Sequence, residues 1–369
     1  MLAASAAPGS SLRELLEREA RIVIGTQFGT EEAADTGVNS LDELTSRLSA
    51  ELGVEAFLPE ECTGDAVVRI LHQLRPGQIC VLPDLSREPG ERNNDERFAR
   101  ALASNADAYL ADAFASSHLE LASQVRLPQL MQRRALGVAA RHELTALSEL
   151  LGAPRARIGW CVGGRRLADK LDLLDRCLGR LSVLCVGGLG ATTLLAAQGR
   201  LPESASVEPE LLARCRSLLA RCRDLDVELL LPSDLSIVWE GDPQPRVIPC
   251  SAYFDRARVV DIGPESTERF CQALRTRQHL LWWGATGDLA SPGGTESSQK
   301  LLELCASGAG ADARGPRSVI IGRETTRYVR ALPRDRHQGI ELVSGGTAAA
   351  CTLLGGHKLP GIEALRRRG

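Results

Sequence analysis

Aromatic side chains are scarce, at 4% of the 369 residues. A core therefore has to be assembled from Leu, Val, Ile and Ala, and apolar strands of that composition between helices fit an α/β class. An excess of one charge is missing too: 44 Lys+Arg against 47 Asp+Glu give a formal net charge of −3. That balance argues against nucleic acid or a membrane surface as the main partner. No apolar run approaches the roughly 20 residues that span a bilayer. The eleven cysteines are scattered singly, in an odd total and without a C-x-x-C pair, and the six histidines stand apart from them. A zinc cluster and a disulfide framework are thereby set aside, and buried, reduced thiols in an intracellular protein are expected.

Targeting signals are equally thin. Met1-Leu2-Ala3-Ala4-Ser5-Ala6-Ala7 has no basic region, and Arg13 is followed by Glu14, Glu17 and Glu19, against a transit peptide. Arg366-Arg367-Arg368-Gly369 is no peroxisomal signal and reads as a basic helix end. A cytoplasmic protein is expected, with organellar or cytoskeletal complexes as the other compatible settings. No internal repeat at solenoid period is present.

What is present is an alternation of strands and helices. Leu12 to Arg18 has helical spacing and leads into an apolar strand, Arg21-Ile22-Val23-Ile24. The acidic segment 31–38 reads as a loop. Ser40 caps a helix through Leu52, with Leu41, Leu44 and Leu48 on one face. Strands at 55–58, 78–82 and 108–110 alternate with helices at 64–74 and 96–104, and 112–118 reads as a loop. A helix over 142–151, closed by Gly152 with Pro154 beyond, is the natural linker. The second half has strands at 158–162, 182–186, 228–231, 279–282 and 318–321, and Ser344-Gly345-Gly346-Thr347 opens a helix to Leu354.

The expectation is two doubly wound, Rossmann-like parallel-sheet domains joined by a linker helix. The divisions fall at 1–141, 142–153, 154–345 and a C-terminal 346–369 that returns toward the first domain. Its centre is Val162-Gly163-Gly164-Arg165-Arg166-Leu167-Ala168-Asp169-Lys170, then Leu184-Cys185-Val186-Gly187-Gly188-Leu189-Gly190. A strand running through glycines into a helix is how an α/β sheet offers backbone N–H groups to a phosphate. A tight turn with no ligand uses the same pattern.

The order of motifs resembles phosphoglycerate kinase over nearly the whole chain. Pro89-Gly90-Glu91-Arg92-Asn93-Asn94-Asp95 resembles P-G-E-E-K-N-D, and Asp112-Ala113-Phe114 with His118, Ala122 and Ser123 resembles D-A-F-G-T-A-H-R-A-H-A-S. Gly163 to Lys170 resembles G-G-A-K-V-S-D-K, and Asp261-Ile262-Gly263-Pro264-Glu265-Ser266 resembles D-I-G-P-E-S. Lys358-Leu359-Pro360-Gly361-Ile362-Glu363-Ala364-Leu365 resembles the closing L-P-G-V-x-A-L. The resemblance implies phosphoryl transfer between 1,3-bisphosphoglycerate and ADP, with the acid on the first domain, the nucleotide on the second and a closing hinge. Such transfer is mostly positioning and charge neutralisation.

The residues that the resemblance makes functional are largely replaced. The family's opening strand and loop, with an Asp, an Asn and an Arg, precede the first match. S-H-L-G-R-P is matched by Thr26-Gln27-Phe28-Gly29-Thr30-Glu31, and E-N-x-R-F by Pro83-Asp84-Leu85-Ser86-Arg87, with Ser86 at the arginine position. Leu119 and Leu121 replace an arginine and a histidine, leaving His118 as the only vestige of acid binding. Each lost guanidinium clamp is worth roughly 1.5–3 kcal/mol.

In the nucleotide half, Arg166 stands at the lysine expected on the transferring phosphoryl and is the one vestigial catalytic candidate. Gly163, Gly164, Lys170, Gly187, Gly188, Pro264, Gly284 and Gly322 are the vestigial nucleotide residues. Leu189 replaces a third glycine, and Trp282-Trp283-Gly284-Ala285 stands for W-N-G-P. Ile320-Ile321-Gly322-Arg323-Glu324-Thr325-Thr326 stands for I-I-G-G-G-D-T, so Thr325 replaces the aspartate near Mg²⁺, and Gly346-Thr347-Ala348 replaces a further glycine triplet. Arg165, Arg166 and Arg323 either form an anion pocket or are exposed or paired internally, the second being the expectation.

The chain is thus expected to be an inactive, pseudoenzyme member of the family, a structural or interaction subunit of a larger assembly. A partner's strand is expected to cover the sheet left by the missing first strand. No metal and no cofactor are expected. The alternatives are a nucleotide- or anion-binding regulator without transfer, and an active phosphoglycerate kinase using ADP/ATP with Mg²⁺.

Overall fold

A continuous apolar run builds the centre of the first sheet. Along the strand Ile79–Asp84, Ile79 and Val81 enter one buried cluster with Leu12, Ile22 and Leu48, while Cys80 and Leu82 enter another with Val67, Leu85 and Leu102. A period of two sends successive side chains to opposite faces, so both faces of this strand are covered. The helix Leu41–Leu52 contributes Leu41, Leu44 and Leu48 to the first cluster, as expected. Its Ser40 hydroxyl accepts the Glu43 amide at 3.1 Å, and Gly53 closes it at φ 68°.

The computed structural model describes residues 10–27, 40–201, 208–252, 257–308 and 315–366. The loop expected at 31–38, the matches at Phe28 to Glu31 and the last three residues lie outside the described residues. Clustering of contacts divides the chain into Met1–Thr145 with Gly345–Gly369, and Ala146–Ser344.

The first unit holds β1 (Ile22–Thr26), β2 (Ala56–Phe57), β3 (Ile79–Asp84), β4 (Ala108–Ala111) and β5 (Arg133–Leu136). All its pairings are parallel, but they form two sheets, β1-β3-β2 and β4-β5, where one was expected. Among the described residues β1 bonds only to β3 and β4 only to β5. The segment expected as a loop at 112–118 contains a buried turn of 3₁₀ helix, Phe114–Ser116. The C-terminal stretch packs on this unit. The Gly361 amide donates to the Ser117 carbonyl at 2.9 Å, and the Arg134 guanidinium donates to the carbonyls of Leu365 (3.2 Å) and Arg366 (2.9 Å).

The long helix Val138–Gly152 begins four residues before the expected start at His142. Its first turn is held by side chains remote in sequence: the Ser11 hydroxyl accepts the Val138 amide at 2.8 Å, and Asp112 accepts the Ala140 amide at 3.1 Å.

The second unit is built on β6 (Ile158–Val162), β7 (Val183–Val186), β8 (Glu228–Leu230), β9 (Asp234–Trp239), β10 (Asp242–Pro249), β11 (Ala257–Ile262), β12 (His279–Trp283), β13 (Arg317–Ile321) and β14 (Leu342–Ser344). Six of these form a parallel sheet in the order β14-β13-β12-β6-β7-β8. Its core packs Trp282, Phe270, Cys161, Cys185, Leu301 and Ile320, all 1% exposed or less. The remaining three, β10-β9-β11, form an antiparallel sheet that the expected all-parallel pattern did not include. The eleven cysteines are free thiols and ten are buried. Burial pushes Cys80 and Cys271 up to about 11.

Candidate functional site

The C-terminal ends of β13, β12, β6 and β7, adjacent in the sheet, carry Gly322, Gly284, Gly163-Gly164 and Gly187-Gly188. This is the edge where open α/β sheets bind ligands. The sheet thus brings six of the eight expected nucleotide residues together. Close backbone packing requires glycine here: a β-carbon on Gly163 would overlap the Ala285 carbonyl, and Gly188, at φ 62°, lies against the Gly164 backbone.

The amides at these turns are used by the chain itself. Gly163 donates to the Trp283 carbonyl at 2.9 Å, Gly164 to Ala285 at 2.6 Å, Gly187 to Val162 at 2.8 Å and Gly188 to Thr286 at 2.8 Å. The glycines stitch strand ends together, the arrangement of the tight turn that was the other reading of this pattern.

Nearby helix N-termini are filled in the same way. Glu208 accepts the amides of Leu167 (2.6 Å) and Ala168 (3.2 Å) at the start of helix Ala168–Cys177. Asp234 accepts those of Glu265 (3.1 Å) and Ser266 (2.9 Å) at helix Pro264–Arg275, where Pro264 is simply the first residue and does not line the cleft described below. Asp261 accepts the Ser297 amide at 3.0 Å, the Ser297 hydroxyl and the Ile262 amide at 2.8 Å. Burial raises Asp261 to about 6 despite those bonds, with Glu296 adding to the rise. Each carboxylate supplies the negative charge that the macrodipole attracts.

Lys170 is buried, donates to the Arg166 carbonyl at 2.8 Å and stands 5.3 Å from the Trp283 ring centroid. Arg166 is paired with Asp169 at 3.0 Å on the surface. Thr325 lies in the first turn of helix Arg323–Ala331, fully buried, and its hydroxyl has no hydrogen-bond partner among the described residues. In the first unit, His118 is half-buried with Nδ1 on the Ala115 carbonyl at 2.9 Å; burial lowers its pKa and that bond opposes the shift.

A small open cleft, with a volume of about 90 Å³, lies among Gly164, Gly188, Leu189, Val259, Thr286 and Gly287. Its charged residues are Arg165, Arg258, Asp261, Asp288 and Glu324. Asp288 accepts Arg165 on Oδ1 at 3.1 Å and Arg258 on Oδ2 at 2.7 Å. Burial pushes the Asp288 carboxyl up, but the Ser291 hydroxyl, the Ala290 amide and the two arginines outweigh it and hold the group below its ordinary value. Arg165 is thus paired internally. Sequence reasoning missed Glu208, Asp234, Arg258 and Asp288; only Asp261 stood within a quoted motif.

The sequence profile described as phosphoglycerate kinase matches residues 5–357. A phosphoglycerate kinase of Desulforapulum autotrophicum is 30% identical over 354 residues, 95% of this chain and 88% of the relative. The wheat protein named phosphoglycerate kinase, cytosolic, is 28% identical over 362 residues, 96% of this chain and 88% of its own. The solved phosphoglycerate kinase structure from Coxiella burnetii superposes with a TM-score of 0.77 at 23% identity, over 96% of this chain and 88% of that one. The chain belongs to the phosphoglycerate kinase family.

Proposed function

We propose that this family member keeps the fold without phosphoryl transfer and serves as a structural or interaction subunit of a larger intracellular assembly. The observation that carries the reading is the use of all four glycine amides, at 163, 164, 187 and 188, by backbone carbonyls. Stabilising a transferring phosphoryl needs donors already aimed at it. Here the amides and the buried Lys170 have partners within the chain.

The residues also fit Mg²⁺ poorly. Thr325 offers a neutral hydroxyl where the family motif places a carboxylate, and one or two carboxylates, with substrate phosphates, usually hold Mg²⁺. The interaction role is supported by β1 and β4, each bonded on one side only among the described residues, and by Leu110 of β4, 38% exposed. No helix among those residues is long and apolar enough to cross a membrane.

A second reading, an active phosphoglycerate kinase using ADP/ATP with Mg²⁺, is favoured by relatives of that name matching 95–96% of the chain. A coupled assay of the purified chain with 3-phosphoglycerate and Mg-ATP separates the two. The first expects no turnover above background, whereas about 1 s⁻¹ or faster, the range of working kinases, establishes the second.

A further inference from the structure

Two arginines from distant segments converge on one carboxylate at the cleft. Arg165 follows the glycine turn after β6, Arg258 lies on β11, and Asp288 lies 123 and 30 residues away from them. The carboxylate bridges the guanidiniums, one oxygen to each, and also takes the Ser291 hydroxyl at 2.7 Å and the Ala290 amide at 3.3 Å. Arg258 donates a second bond to Ser291 Oγ at 2.9 Å. Two guanidiniums, a hydroxyl and an amide thus surround one anionic position.

That is the donor set of a phosphate site, and a side chain of the chain occupies it. The Arg165 and Arg258 side chains are 60% and 56% exposed, so each pair is worth little in water and is cheap to exchange. Arg165 stands where the G-G-A-K motif has alanine, so this arrangement is not the family's own phosphate contact.

We propose that the Arg165–Arg258 pair is a binding site for a tetrahedral oxyanion, with Asp288 as an internal stand-in that a phosphate displaces. The chemistry suits inorganic phosphate or the terminal phosphate of a nucleotide. Whether the chain transfers phosphate does not enter: turnover in the kinase assay would overturn the preceding reading and leave this one standing.

Titration calorimetry of the full chain with inorganic phosphate, and separately with ADP, at constant ionic strength tests it. Removing the competitor in Asp288→Asn is expected to tighten phosphate at least about tenfold, a gain of about 1.4 kcal/mol. Adding Arg165→Gln or Arg258→Gln is expected to reverse that gain. Arg246→Gln, which removes a surface charge paired with Asp242 outside the cleft, is expected to change nothing. Arg258→Lys keeps the charge without the fork and serves if Arg258→Gln misfolds; it is expected to lose most of the gain. ADP bound with the same arginine dependence and more tightly than phosphate identifies a nucleotide as the source, and phosphate bound better identifies the free ion. The proposal is overturned if Asp288→Asn binds phosphate no more tightly than the parent, or if the arginine variants retain the gain. A merely structural latch would lower the melting temperature of Asp288→Asn and leave phosphate binding unmoved.

Discussion

The amide of Gly164 donates to the carbonyl of Ala285 at 2.6 Å, joining the turn after β6 to the turn after β12. The neighbouring Gly163 amide donates to Trp283 at 2.9 Å, so two strand ends are laced by consecutive glycines. A side chain at 163 would overlap the Ala285 carbonyl, which is backbone and cannot swing away. Gly163→Ala is therefore expected to cost roughly 3 kcal/mol in urea denaturation, at the upper end of overpacking penalties. Gly152→Ala, with nothing within 4 Å, is the matched control and should be neutral or slightly stabilising. Equal effects at the two positions would remove the close-packing explanation.

Arg134 fastens the C-terminal stretch to the first unit. Besides Leu365 and Arg366, its guanidinium donates to the carbonyls of Pro128 at 2.9 Å and Met131 at 3.0 Å. One planar donor thus closes the short helix Leu127–Leu130 and holds residues 365 and 366. Arg134→Met keeps the apolar stem and deletes the bonds, and should cost about 2 kcal/mol. Hydrogen exchange of the 361–366 amides is the direct check: at least tenfold faster exchange is expected there, with Asp65–Gln73 unchanged. Uniform acceleration across the unit would mean a general loss of stability instead.

The sequence showed those features whose cause is local. β6, β7, β12 and β13 are apolar runs ending at glycine, and the Ser40 cap and the Leu41, Leu44 and Leu48 face lie within one helix. β10 was not legible, because Pro243, Pro245 and Pro249 interrupt the alternation that marks a strand. β5 was not legible either, because Arg133-Arg134 break its apolar pattern, and only the fold shows Arg134 holding carbonyls 231 and 232 residues away. The same distance hid the site. Nothing near Gly163-Gly164 announces that Glu208 fills the adjoining helix start or that Asp288 ties Arg165. Glycine spacing reveals a tight turn, but only the tertiary fold decides who receives its amides.

Asp261 supplies a pH test. Burial raises its pKa to about 6 from 3.8, so the folded state holds its proton more tightly than the unfolded state. Such a group contributes stability that is fully present below about 4 and is lost as pH rises through about 6. A shift of this size corresponds to roughly 3 kcal/mol. The stability difference between the parent and Asp261→Asn should therefore move in favour of the parent as pH falls from 7 to 4. Subtracting the variant cancels the other titrating groups. A difference that stays flat across that window would show that Asp261 does not carry a raised pKa.

Thr325 decides between a metal-ligand position and packing. Its hydroxyl is fully buried without a partner among the described residues, which costs about 1–3 kcal/mol relative to an apolar group of the same shape. Thr325→Val replaces that hydroxyl by a methyl and should raise stability by about 1 kcal/mol, read as a higher urea midpoint with an unchanged slope. Thr325→Asp brings back the carboxylate of the family motif but places a charge in the same buried pocket. It is expected to destabilise the chain by several kcal/mol, with no recovery on adding Mg²⁺. A destabilised Val variant, or an Asp variant that Mg²⁺ restores, would mean that the position still serves a polar ligand and would favour the active-kinase reading.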